Sequence, residues 1–198
     1  MQLLEIIHKS FAVLSILSVS MGFAVADVKC NSESLTNQEI VTCSQAVFVK
    51  VDKVLNEQYK VLASELDGSL KSELRVTQKN WIKLKDGYCN DESDGASGEE
   101  APIEKLSCMK QLTSFRLSEL IYLRTGVIGD GFYKAVSVVN EKATAMDYAK
   151  AVDYVAGDVD FGPAWKEYAE KNCAMTQKLY GEMPGRCMAR MRFQMPIY

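Results

Sequence analysis

Apolar residues return every three or four positions along most of the chain, the period of helices that bury one face. Thr36-Asn37-Gln38-Glu39 has the form of a capping box, in which threonine and glutamate satisfy each other's free backbone N–H groups. Behind it Ile40, Val47, Val51, Val54, Leu55, Tyr59, Leu62 and Leu66 share a face and predict a helix over 37–66. Asp67-Gly68-Ser69 stops that helix and begins a second, whose stripe is Leu70, Leu74, Trp81, Leu84 and Tyr88, ending at Cys89. Thr77 and Gln78 interrupt this stripe in its middle.

Residues 90–101 are polar and read as a loop. Pro102 suits the first turn of a third helix, and Ile103, Leu106, Met109, Leu112, Leu120 and Leu123 carry it to about 124. Gly126, Gly129 and Gly131 mark a joint. Beyond it, 132–156 predicts one or two helices, Gly157 to Gly162 a turn, and Pro163 to Tyr180 another helix. Gly181, Pro184 and Gly185 read as a loop before Cys187. The pattern predicts an all-α fold, a disulfide-stapled bundle of helical hairpins.

The first residues change the picture of where this bundle works. An apolar run from Phe11 to Val25 ends in Ala24-Val25-Ala26, the small-x-small pattern cut by signal peptidase. The run is shorter than the roughly 20 residues of a membrane span, and no stop-transfer charges flank it. Residues 1–26 therefore read as a cleaved signal, with an uncleaved anchor as the rival. Asp27-Val28-Lys29 before Cys30 is too polar and bulky for a lipoprotein signal. The expected organisation is an N-terminal helical domain over 27–125 and a C-terminal helical extension over 126–198. The expected location is periplasmic or secreted, with nothing embedded in the membrane after cleavage.

All six cysteines follow the signal: Cys30, Cys43, Cys89, Cys108, Cys173 and Cys187. Six cysteines in an exported chain suggest a disulfide framework, and sequence alone leaves 15 pairings open. Their spacing, in three local pairs, favours Cys30–Cys43, Cys89–Cys108 and Cys173–Cys187. No Cys-x-x-Cys motif is present, so a dithiol redox role has no motif and a thiolate zinc site lacks its close spacing.

The only histidine, His8, lies in the signal. Its absence from the rest of the chain removes histidine-based nucleophile chemistry and histidine metal sites. Paired carboxylates are the one common hydrolytic design left, and no recognisable catalytic glutamate setting accompanies them. The expectation is a protein that is not an enzyme, with no catalytic residue, metal or cofactor. A net charge of −3 argues against nucleic acid, which needs clustered lysine and arginine.

Trp81 and Cys89 are eight apart, as are Trp165 and Cys173. Each pair is followed by a glycine-containing loop and a Cys-Met dipeptide, at Cys108-Met109 and Cys187-Met188, and then by Arg116 and Arg192. This is a partial internal repeat, and it predicts a second stapled helix–loop–helix unit.

Polar residues sit among the apolar ones at helical spacing: Asp52-x-x-Leu55-Asn56-x-x-Tyr59, Gln78-x-x-Trp81-x-x-x-Lys85-Asp86-x-x-Cys89, and Thr113-x-x-Arg116-x-x-Glu119-Leu120. Together with Gln38, Glu39, Cys43 and Cys108, this string resembles the N-terminal domain of the LprI-type lysozyme inhibitor family, over roughly residues 30–123. Lys85 stands where the family usually has arginine, which keeps the charge and loses a bidentate fork. The resemblance implies an exported, helical, disulfide-linked domain and a role in lysozyme inhibition.

Read from chemistry alone, Asp52, Asn56, Asp86 and Arg116 predict an interhelical polar network, since a buried arginine needs carboxylate partners. The alternative places Asp52 and Asp86 in an open groove, facing a partner's basic groups. Trp81 and Trp165 read as core residues. Asp91, Glu92, Asp94, Glu99 and Glu100 put five acids in ten residues with no base. Tethered by a bridge, this loop suits the cationic cleft of a basic lysozyme-like muramidase. Calcium is a weaker reading, because the spacing does not fit an EF-hand. The leading expectation is an exported protein that inhibits lysozyme by occupying its cleft. Its rival is an envelope interaction module, such as an immunity protein or assembly factor, with another partner.

Overall fold

The computed structural model describes residues 30–31, 33–94, 98–129, 131–142 and 146–196, and the side chains of 91–94 lie outside that set. The signal reading of 1–26 also lies outside the described residues. Among these residues there are seven α-helices, one 3-10 turn and no strand.

Helix α1 runs from Asn37 to Glu65. The capping box forms as its sequence predicts: the Glu39 N–H donates to Thr36 Oγ1 at 3.3 Å, and the Thr36 N–H donates to Glu39 Oε2 at 2.8 Å. That Thr36 N–H holds the Glu39 carboxyl below its usual range. Asp67 separates α1 from α2 (Gly68–Asp94), its carboxylate accepting from the Leu70 N–H at 3.0 Å. Helix α3 spans Ala101–Thr125, with Pro102 in its first turn and Gly126 capping its end in the left-handed conformation. A Cβ at Gly126 would sit 3.0 Å from the Tyr180 ring, so the turn and the close approach both demand glycine.

Two of the expected boundaries are corrected. Helix α2 does not stop at Cys89; its backbone stays helical through Asp94, and a 3-10 turn at Gly98–Glu100 leads into α3. The polarity of 90–94 signalled solvent rather than loop, because a helix end beyond the core has no apolar face to show. Likewise Pro184 and Gly185 open helix α7 (Pro184–Phe193), so the connection is only 181–183. Proline at a first helical turn gives up an N–H that would have no partner there anyway.

The segment 132–156 forms two helices, α4 (Gly131–Lys142) and α5 (Tyr148–Ala156), the second capped by Asp147. Helix α6 spans Gly162–Tyr180.

α1 lies parallel to α3, with Asn37 bonded to Glu99 at one end and Glu65 to Arg124 at the other. α2 runs antiparallel to both. α6 packs antiparallel on the other side of α2, through Glu73–Lys178 and Lys83–Glu167. One apolar core extends from Leu55 and Leu62 of α1 through Leu74, Trp81 and Leu84 of α2 to Trp165, Tyr168 and Met191 of α6 and α7. A smaller cluster joins α4 and α5 to Ala189 of α7.

Three disulfides link Cys30 to Cys43, Cys89 to Cys108, and Cys173 to Cys187, the pairs favoured by spacing. Closing a loop of this length removes denatured-state freedom worth about 3 kcal/mol. Because α2 continues five residues past Cys89, the first hairpin projects beyond its bridge by about 7 Å, at 1.5 Å per residue.

Candidate functional site

The acids predicted to contact a partner lie at one end of the bundle, where α2 ends and α1 and α3 begin. Asp91, Glu92 and Asp94 fall on the last turns of α2, with side chains outside the described residues. Glu99 and Glu100 are exposed in the 3-10 turn. Between Asp86 and Glu104 the chain carries seven acids and no lysine or arginine. The end is less a free loop than a pair of helix ends held by Cys89–Cys108.

The Asn37 side chain donates to Glu99 Oε2 at 3.1 Å and ties this tip to the start of α1. Between them lies a hollow lined by Thr36, Asn37, Gln38, Val41, Glu99 and Pro102. Sequence reasoning missed the α1 contribution. Its signal was the capping box followed by Cys43, which together fix how that helix starts.

The four residues expected to form one network do not meet. Asn56 donates to Asp52 Oδ2 at 2.9 Å within α1, an exposed pair one helical turn apart. Asp86, with 56% of its side chain exposed, pairs with Lys85 at 2.6 Å. The Lys85 ammonium lies 5.7 Å over the Trp81 ring, so this lysine is held between a carboxylate and an indole.

Arg116 is fully buried, and its partners come from elsewhere. Its Nε donates to Gln78 Oε1 at 2.9 Å, and its Nη1 donates to Asn172 Oδ1 at 2.9 Å and to the Tyr168 hydroxyl at 3.3 Å. The reason for the difference is topological. Spacing along α1, α2 and α3 places residues on faces, but it does not show that α6 and α7 cover the face bearing Arg116.

From Arg116 the network runs on. Asn172 Nδ2 donates to Glu119 Oε2 at 2.7 Å, and Glu119 pairs with Arg190 of α7. Arg190 also grips Glu182, through Nε at 3.0 Å and Nη2 at 3.2 Å, and Tyr133 donates to Glu182 Oε1 at 3.2 Å. Arg190 thus pairs with both carboxylates while Arg116 reaches Glu119 through Asn172, and the two positive and two negative charges of the network balance. A planar fork suits this double bidentate grip, which a lysine could not make. Burial works against the charged form of Arg190, but Glu119 and Glu182 outweigh it and hold its pKa above the ordinary arginine value. Burial pushes the Tyr168 and Tyr133 hydroxyls up to about 12 each. Glu119 was singled out beside Arg116 but not placed in its network, and the missed residues Asn172, Glu182 and Arg190 left one trace in sequence, as polar residues inside or beside apolar stripes.

Trp81 and Trp165 are both buried. The Trp81 indole donates to the Leu112 carbonyl at 3.2 Å, and the Arg192 guanidinium lies 5.5 Å over the Trp165 ring. Among the described residues no cluster of three or more metal-ligating side chains is present, and no helix is long and apolar enough to cross a membrane.

These features define a small all-α protein whose helices are stapled by three local disulfides. One stretch has a recognisable likeness: residues 29–120, just under half of the chain, match the family described as Lysozyme inhibitor LprI. The match takes in α1, α2, the acidic tip and nearly all of α3. Residues 121–198 lie outside it. No curated protein and no solved structure matches the chain.

Proposed function

We propose that this protein is exported and inhibits a lysozyme, with the acidic tip and the neighbouring start of α1 as the contact surface. The observation that carries the reading is the coincidence of the family match with that tip. The matched helices are the ones that hold the run of acids beyond the Cys89–Cys108 bridge. Muramidases that attack anionic cell walls are commonly cationic. An acidic projection speeds and steers the encounter with such a cleft, and a rigid base lowers the entropy lost on docking.

Inhibition by occupancy needs no covalent chemistry from the inhibitor. The acids that converge in the interior, Glu119 and Glu182, are both bonded to Arg190, which favours a scaffold role for them over proton transfer. Three disulfides suit an oxidising compartment such as the periplasm or the cell exterior.

The test is cell-wall lysis by basic lysozymes of several classes in the presence of the oxidised protein. Slowed lysis at micromolar concentration is expected, with loss of the effect in a Glu99→Lys, Glu100→Lys variant. Unaltered lysis against every class overturns the reading.

A further inference from the structure

The two stapled hairpins share a set of landmarks in the same order. Trp81 and Cys89 of α2 recur as Trp165 and Cys173 of α6, each 84 positions later. α2 and α6 cross antiparallel: Glu73 meets Lys178, Thr77 meets Met175, and Lys83 faces Glu167. Lys83 and Glu167 are themselves 84 apart, so at the crossing point each helix meets its own counterpart.

The flanking helices follow the same relation. α1 lies along α3 as α5 lies along α7. Thr36 caps α1 and Asp147 caps α5, and a proline opens both α3 and α7. At the acidic end, a hollow is lined by Thr36, Asn37, Gln38 and Val41 together with Glu99 and Pro102. At the opposite end, a hollow is lined by Asp147, Tyr148, Ala149 and Val152 together with Met183 and Arg186. The first four residues of each set are the cap and the first, second and fifth positions of α1 and α5. The same construction appears twice, once at each end of the bundle.

We infer that residues 147–196 are a second, shortened copy of the helical unit, and that its hollow is a second protein-docking site. The site takes a segment that offers one apolar side chain and one carboxylate. The docking role rests on reading the first hollow as part of a binding surface; the chemistry of the second is its own.

The run of exposed acids at the first tip is not repeated at the second, where the one acid of the connection, Glu182, is turned inward onto Arg190. In their place Met183 is 61% exposed and stands beside the half-open Tyr148 ring and Val152. The hollow they border is about 580 Å³, against about 450 Å³ at the acidic end. Arg186 lies 5.3 Å over the Tyr148 ring, exposed, and pairs with no carboxylate among the described residues. Asp147 is occupied, accepting from the Lys150 N–H at 2.9 Å, and Asp153 is the other acid on the wall. Tyrosine, methionine and arginine are the types enriched at the centres of protein interfaces. A guanidinium removed from water there needs a carboxylate partner.

A displayed library of random 12-residue peptides, selected on the full oxidised chain, tests the site without using lysozyme. The expected consensus pairs an aliphatic or aromatic residue with an aspartate or glutamate. Binding of the consensus peptide, followed by fluorescence anisotropy, should weaken at least tenfold in Met183→Asp and in Arg186→Gln. It should stay within twofold in Glu99→Lys. Both weakening substitutions fall on exposed positions, so unchanged helical circular dichroism excludes misfolding as the cause. The inference is overturned if no consensus emerges, if the selected peptides are basic and respond only to Glu99→Lys, or if Met183→Asp leaves binding intact. Because lysozyme is absent, these outcomes are independent of the lysis assay.

Discussion

Arg190 on α7 and Glu119 on α3 form an ion pair in which each side chain is only 1% exposed. It joins the part of the chain inside the family match to the part outside it. Removing one partner of such a pair strands the other in a medium that solvates it poorly, at a cost of about 3 to 5 kcal/mol. Glu119→Gln should therefore lower the urea midpoint sharply at pH 7. Combining Glu119→Leu with Arg190→Met should cost less than the sum of the two single changes, because neither member of this pair is then left without the other, while Glu182 loses Arg190 equally in the single and the double variant. Additive losses in equilibrium unfolding would show that the pair is not coupled.

The buried tyrosines make stability fall at high pH. Tyr168 keeps its proton up to about 12 in the folded protein, chiefly because burial disfavours the phenolate. The unfolded chain loses the same proton near its ordinary value of about 10. The stabilising contribution is thus whole below pH 10 and is lost as pH rises through about 12, at roughly 1.4 kcal/mol per pH unit for one group. Tyr168→Phe should cost about 1 kcal/mol at pH 7, through the lost bond to Arg116, yet flatten the alkaline decline. Urea midpoints at pH 9, 10 and 11 measure both effects.

Charge at the tip should govern the speed of capture more than the lifetime of the complex. Glu99→Lys with Glu100→Lys should slow association with a cationic lysozyme about tenfold at low salt, and the difference should shrink as salt is raised. Dissociation should change less. Stopped-flow association at two ionic strengths separates these outcomes, and a salt-independent defect would point to lost contacts instead of lost steering.

The Cys89–Cys108 bridge anchors the projecting helix ends. Replacing both cysteines with serine should reduce stability by about 2 to 4 kcal/mol. The same variant should hold lysozyme more weakly at unchanged charge, because a looser tip loses more freedom on docking. Thermal unfolding and an inhibition titration, run side by side, check the two halves of this expectation.

The helices were legible because local chemistry decides them. The start of α1 was written in Thr36 and Glu39, and the end of α3 in Gly126. The extension of α2 past Cys89 was not, since polar residues look alike on a solvated helix end and in a loop. Arg116 was correctly expected to need partners, but not correctly supplied with them. Asn172 lies 56 positions away and belongs to a helix whose place against α2 no local pattern specifies. Tyr148, Met183 and Arg186 were invisible as a group for the same reason, being gathered only when α5 and α7 come together.

None of the three disulfides crosses from the first three helices to the last four. The halves are connected covalently only by the backbone, and their mutual hold is the α2–α6 face and the Arg–Glu network, whose complementary surfaces are identical in every copy of the protein. Refolding at high concentration can therefore exchange α6 and α7 between two molecules without breaking a bridge. The expected product is an intertwined dimer that keeps each staple and each buried pair, and gel filtration of the refolded protein checks for it.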